Sequence, residues 1–62
     1  MCEINAYILK NGKEEKYLEN VDTVKPEDGK IHLKNLFGEQ KTFEGIIKEI
    51  SFRKNRIVLE GK

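Results

Sequence analysis

Cys2 and His32, the only cysteine and histidine in 62 residues, are the strongest metal-ligating and nucleophilic groups in the chain. Cys2 follows directly on Met1, and that position gives it a chemistry that a mid-chain cysteine lacks. If Met1 is removed, the α-amine and thiol of Cys2 stand on adjacent carbons and can close a chelate ring on a metal ion. The α-amine titrates near ~8 and a free thiol near ~8.5, so both can lose a proton to a metal at neutral pH. If Met1 is retained, the nearest nitrogen is a backbone amide that must be deprotonated. Two subunits meeting near their amino termini would bring together two nitrogens and two sulfurs. A square-planar arrangement of such donors suits Ni(II) or Cu(II), whereas thiolates alone also suit Cu(I) or tetrahedral Zn(II). The competing reading is that Cys2 is a small apolar residue opening the first strand, because free cysteine is among the most buried residue types.

His32 falls opposite Ile31 and Leu33 in an alternating run, which makes it a rim or solvent-facing histidine. It could complete a metal shell or activate Cys2 as a nucleophile, but nothing in the spacing brings the two together. Enzyme chemistry has little else to draw on. There is no glycine-rich phosphate loop, cysteine pair or histidine cluster, and Glu14-Glu15, Glu27-Asp28 and Glu39 read as carboxylates on solvated turns. A non-enzymatic role is expected. RNA binding is the alternative: Lys41, Lys48, Arg53, Lys54 and Arg56 could form a basic stripe, with Tyr7, Tyr17, Phe37, Phe43 or Phe52 for stacking. Against it, twelve basic residues face eleven acidic ones, which weakens the electrostatic term that dominates such binding.

Length constrains the scaffold that must position these groups. A chain of this size buries only about 60% of the surface its unfolded form exposes. Ordering costs of roughly 1.5 kcal/mol per residue nearly cancel that burial, so a staple is expected. One cysteine cannot form an internal disulfide, which leaves a metal, a subunit interface or unusually good packing. Residues 1–62 are expected to form a single domain. No apolar run approaches the ~18 residues of a membrane span, and no basic-then-apolar leader opens the sequence. A cytoplasmic location is expected, where a reducing environment keeps a lone thiol free.

The elements read as short strands between turn signals. Glu3 to Lys10 carries Ile4, Ala6 and Ile8 on one side and Tyr7 and Leu9 on the other, so it should be covered in part on both faces. Asn11-Gly12 is a strong hairpin signal. Lys13 to Glu19 returns with Tyr17 and Leu18, and Val21 to Glu27 follows as a separate run whose Pro26 marks an edge or a strand end. Asp28-Gly29 turns the chain into Lys30 to Asn35, and Gly38 marks the next reversal. Between Gln40 and Phe52, Ile46, Ile50 and Phe52 share one phase and Phe43 takes the other, so Gly45 is read as a bulge. Arg53-Lys54-Asn55 turns into Arg56 to Glu60. The pattern predicts an all-β fold of five to six short antiparallel strands, closed or half-closed into a small barrel.

The start Met1-Cys2-Glu3, the first strand ending Ala6-Tyr7-Ile8-Leu9, the turn Asn35-Leu36-Phe37-Gly38-Glu39-Gln40-Lys41 and the closing Arg56-Ile57-Val58-Leu59 together resemble the CooT family. These are small nickel-binding accessory proteins linked to carbon monoxide dehydrogenase maturation. The resemblance spans essentially the whole chain. It implies an SH3-like β-barrel, a homodimer, Ni(II) held at Cys2 of each subunit, and a nickel enzyme such as carbon monoxide dehydrogenase as client. Members of the family have also been labelled predicted RNA-binding proteins. The 35–41 turn carries over as part of the pattern and receives no metal role. Physically, Asn35 can bond neighbouring backbone groups, Gly38 can take a positive φ, and Phe37 can cover the barrel mouth or a subunit interface.

Overall fold

Ile31 and Leu33 alternate with His32 and Lys34, and a strand with that pattern must lay its apolar side on a core. It does so as the middle strand of one side of a closed ring. The computed structural model describes residues 3–61, with strands β1 (Ile4–Lys10), β2 (Lys13–Glu27), β3 (Lys30–Asn35), β4 (Gln40–Ser51) and β5 (Arg56–Gly61). Each strand pairs with the next, and β1 pairs with β5 to close the barrel. Successive pairs are antiparallel, whereas the closing β1–β5 pair is parallel. An odd number of strands that reverse at every turn leaves the first and last running in the same direction, so parallel closure is the only option.

The two runs expected on either side of Asn20 form one strand. β2 pairs with β1 as far as Val21 and with β3 from Val21 onward. Asn20 takes a φ of 53° at the point where the strand changes partners, and asparagine tolerates this left-handed conformation better than most residues. Five strands therefore suffice. Pro26 stays within the ladder, opposite Ile31, on the side sheet's outermost strand, where a missing donor does no harm.

β4 also serves two partners, β3 from Gln40 to Glu44 and β5 from Gly45 onward. The change falls at Gly45, but the bulge expected there lies at Lys48, in the register shift between Ile47 and Glu49. Close approach is what requires glycine at position 45. A Cβ there would stand 2.3 Å from the Glu60 carbonyl oxygen and 2.7 Å from Cε2 of Phe43. The Gly45 N–H meanwhile donates to the Gly29 carbonyl at 3.0 Å, tying the β2–β3 turn to the corner.

Ala6, Leu18, Val21, Ile31, Leu33, Ile57 and Leu59 form the buried core, with Ile4, Tyr17, Val24, Phe43 and Ile47 packed against it. Tyr17 and Phe43 meet edge to face, with ring centroids 5.7 Å apart. The first strand is covered on both sides, as its mixed pattern implies. Ala6 is in the core, and on the other face the Arg56 guanidinium stands 5.0 Å from the Tyr7 ring centroid and pairs with Glu14. Val58, opposite Tyr7 in the ladder, is buried without belonging to the core cluster.

Gly45→Ala should destabilise the barrel by about 1–3 kcal/mol, the range for forcing extra atoms into a packed site. Urea unfolding followed by circular dichroism would measure it. Gly12→Ala should cost less, since no atom lies within 4 Å of its Cβ position and only its φ of 77° opposes the change.

Candidate functional site at the amino-terminal end of the barrel

Cys2, the one residue expected to hold a metal, lies outside the described residues. The path of the chain just after it is nevertheless defined. Ile4 pairs with Val21, which pairs in turn with Asn35 at the end of β3. On the other side of the same strand, Asn5 pairs with Arg56 at the start of β5. The start of β1 thus lies at the end of the barrel that carries the β3–β4 and β4–β5 turns.

Three hydrogen bonds run across this end through asparagines. The Leu36 N–H donates to the Asn20 carbonyl at 3.0 Å, the Asn20 N–H to Oδ1 of Asn5 at 3.2 Å, and the Asn5 N–H to the Asn55 carbonyl at 3.1 Å. They link the β3–β4 turn, the corner of β2, the first strand and the β4–β5 turn. Asn20 and Asn55 both have a φ of 53°, so the chain turns sharply where it joins this network. Sequence reasoning did not single out Asn5 or Asn20. The available signal was an asparagine separating two apolar runs, which was read as a break.

The β3–β4 turn is built around Asn35, whose side chain is almost fully buried. Its Oδ1 accepts from the N–H groups of Phe37 at 3.0 Å and Glu39 at 2.8 Å, and its Nδ2 donates to Oε1 of Glu39 at 2.7 Å. The Gly38 N–H bonds back to the Asn35 carbonyl at 3.2 Å, and Gly38 has a φ of 87°. Asparagine, glycine and glutamate in this motif therefore have structural roles, as expected for the first two. Phe37 does not cover the barrel mouth. It is 71% exposed and Leu36 is 59% exposed, because the turn spends its polar groups on itself and leaves both apolar side chains outside. Phe52, on the other turn at this end, is 80% exposed. Scattered apolar side chains on a surface need no explanation, but a group of them at one end marks an interaction surface.

The other candidates lie apart from this end or are engaged elsewhere. His32 sits on the outer face of β3, with Nδ1 3.0 Å from Oγ1 of Thr42 and Nε2 3.3 Å from Oε1 of Glu27. Among the described residues, no group of three or more His, Cys, Asp and Glu side chains could hold a metal ion. Three of the five residues expected in a basic stripe have intramolecular partners. Lys41 donates to the Tyr17 carbonyl at 2.9 Å and lies over the Tyr17 ring, Lys48 pairs with Glu60 at 3.9 Å, and Arg56 is taken up by Glu14 and Tyr7. Tyr17 and Phe43 are part of the core packing and are not a stacking platform. Among the described residues, no helix is long and apolar enough to cross a membrane.

Asn35→Ala should lower stability by about 1–3 kcal/mol, the range for stranding hydrogen-bond partners in a protected site. Amide exchange at Phe37 and Glu39 should accelerate more than at core amides such as Leu59, which would separate loss of the turn from general loosening.

The comparisons with known proteins agree with this geometry. The family model described as CO dehydrogenase accessory protein CooT matches residues 1–60. An uncharacterized protein of Methanocaldococcus jannaschii is 39% identical over 61 residues, covering 98% of this chain and all of its own length. A crystal structure described as CooT from Carboxydothermus hydrogenoformans superposes with a TM-score of 0.90 at 38% identity, covering 98% of both chains.

Proposed function

This chain belongs to the CooT family of CO dehydrogenase accessory proteins, and we propose that it holds Ni(II) at Cys2 in each subunit of a homodimer and passes it to a nickel enzyme such as carbon monoxide dehydrogenase. The observation that carries this reading is the exposure of Leu36, Phe37 and Phe52 on the two turns at the end of the barrel where β1 begins. Its role is to bind and deliver a metal, and no bond of an organic substrate is made or broken.

One Cys2 supplies a thiolate and, once Met1 is removed, an amine, which is half of a square-planar set. A second copy supplies the other half if the two amino termini meet. Apolar turn residues at the end where β1 begins favour such a meeting, since burying them offsets the cost of association. An exposed end also suits delivery. Ligands held outside a packed core can be approached by a client's own ligands, so the ion can change partners without the barrel unfolding. Asn35 and the Asn20–Asn5–Asn55 connection keep the two turns at this end in place.

Titrating Ni(II) into the native protein and into Cys2→Ser, by calorimetry and absorption spectroscopy, tests the metal assignment. The native protein should show a thiolate-to-metal charge-transfer band that is absent from the variant, with at least a tenfold loss of affinity. Equal affinity in both would end the assignment. Mass spectrometry of the native protein shows whether the amine is free, because it reads the loss of Met1 directly. Phe37→Ser and Phe52→Ser, both at exposed positions, should weaken self-association in sedimentation experiments while leaving the thermal transition nearly unchanged. An unaltered dimer in both variants would remove the role given to this end.

A further inference from the structure

The outer face of the β2–β3–β4 side has an uneven charge distribution that metal binding does not use. The ladder arranges this face in rows. Thr23, Lys34 and Gln40 form one row, Lys25, His32 and Thr42 the next, and Glu27, Lys30 and Glu44 the last. In the last row Lys30 lies between two carboxylates and is balanced by them. The first two rows contain no carboxylate. Among the described residues, Lys25 and Lys34 have no ion-pair partner within 4.0 Å, a state they share with most of the lysines, and no carboxylate stands opposite either one in its ladder row. A shallow depression of about 200 Å³ lies over these two rows. The nearest acids are at its margins: Glu27 contacts His32, and Asp22 accepts from the Thr23 hydroxyl at 2.8 Å.

The geometry points to this face as a docking surface for a carboxylate-rich segment of a protein partner. Three observations select that occupant. Two unpaired lysines on adjacent strands, Lys25 on β2 and Lys34 one row away on β3, complement a cluster of carboxylates. The face carries no Phe, Tyr, Trp or Arg, and its one ring, His32, is engaged at both nitrogens by Thr42 and Glu27, so it offers little of the stacking by which single-stranded RNA is recognised. The row of Thr23, Lys34 and Gln40 also directly follows the Val21–Asn35 pair, so the face continues from the end of the barrel assigned above to metal transfer. A client whose metal site faces Cys2 would lie over both. The identity of that client as the metal acceptor rests on the proposed function; the charge complementarity does not. Unpaired exposed charges of this kind chiefly accelerate encounter and orient it, with little effect on the lifetime of the complex.

The test measures binding of a short oligoglutamate peptide and a short oligouridylate of equal charge, by fluorescence anisotropy at low and physiological salt. The native protein should bind oligoglutamate in preference, and more weakly as salt rises. Lys25→Ala with Lys34→Ala should reduce that binding about fivefold or more, the scale set by losing two exposed ion pairs. Lys10→Ala with Lys13→Ala, an equal charge change at the β1–β2 hairpin, should leave it near native. Equal loss in both pairs, no binding by the native protein, or preference for oligouridylate would each overturn the proposal. Lys25→Gln with Lys34→Gln repeats the test should the alanine pair fold poorly. Ni(II) titration of the lysine variants, expected to be unchanged, separates failure of this face from failure of the metal assignment.

Discussion

The corner at Asn20 and Val21 is the constraint on which the barrel depends. A single strand there leaves β1 and joins β3, and without that change of partner the two sides of the ring could not share one core. The left-handed φ of Asn20 makes the corner possible, and two hydrogen bonds through its own backbone hold it, one to the Leu36 N–H and one from its N–H to Asn5. β4 turns the diagonally related corner at Gly45, where the Glu60 carbonyl comes too close for any Cβ. Each corner thus uses a residue that can adopt what most cannot, a positive φ in one case and a close approach in the other.

Function follows from where the first corner lies. Because Val21 pairs with both Ile4 and Asn35, the amino-terminal strand begins beside the family's most distinctive turn. That turn has turned its polar atoms inward onto Asn35, so its two apolar residues are left with no intramolecular use. A short chain would ordinarily bury such residues, given how little core it has. Their exposure suggests that another surface covers them. The same corner carries the first row of the basic face, so one end of the barrel combines the start of the first strand, exposed apolar turn residues and unpaired positive charge.

Much of the fold was legible locally. Asn11-Gly12, Asp28-Gly29 and Gly38 each marked a real reversal, and each has the positive φ that those residue types permit. The alternation of Ile31 and Leu33 with His32 and Lys34 matched the buried and outer faces of β3. The division of β2 into separate runs on either side of Asn20 and the reading of Gly45 as a bulge failed for one reason. Both residues serve contacts between strands distant in sequence, and a local pattern records that something unusual happens without recording what it faces. The phase of Ile46, Ile50 and Phe52 misled in the same way, since the Lys48 bulge shifts the faces partway along and all three remain exposed.

By itself, the sequence determined the chemistry available: one thiol behind the first methionine, one histidine, no cluster for catalysis, and a family pattern spanning the chain. Composition and turn residues were enough to determine an all-β barrel, because strand alternation and positive-φ residues act over a few neighbours. Only the tertiary structure decided that the 35–41 turn, Asn5, Asn55 and the start of β1 share one end, and that Lys25 and Lys34 lie in two adjoining rows of one face that contain no carboxylate. Those are consequences of register between strands, set by closure of the ring and by packing of a small core, and no stretch of chain carries that information alone.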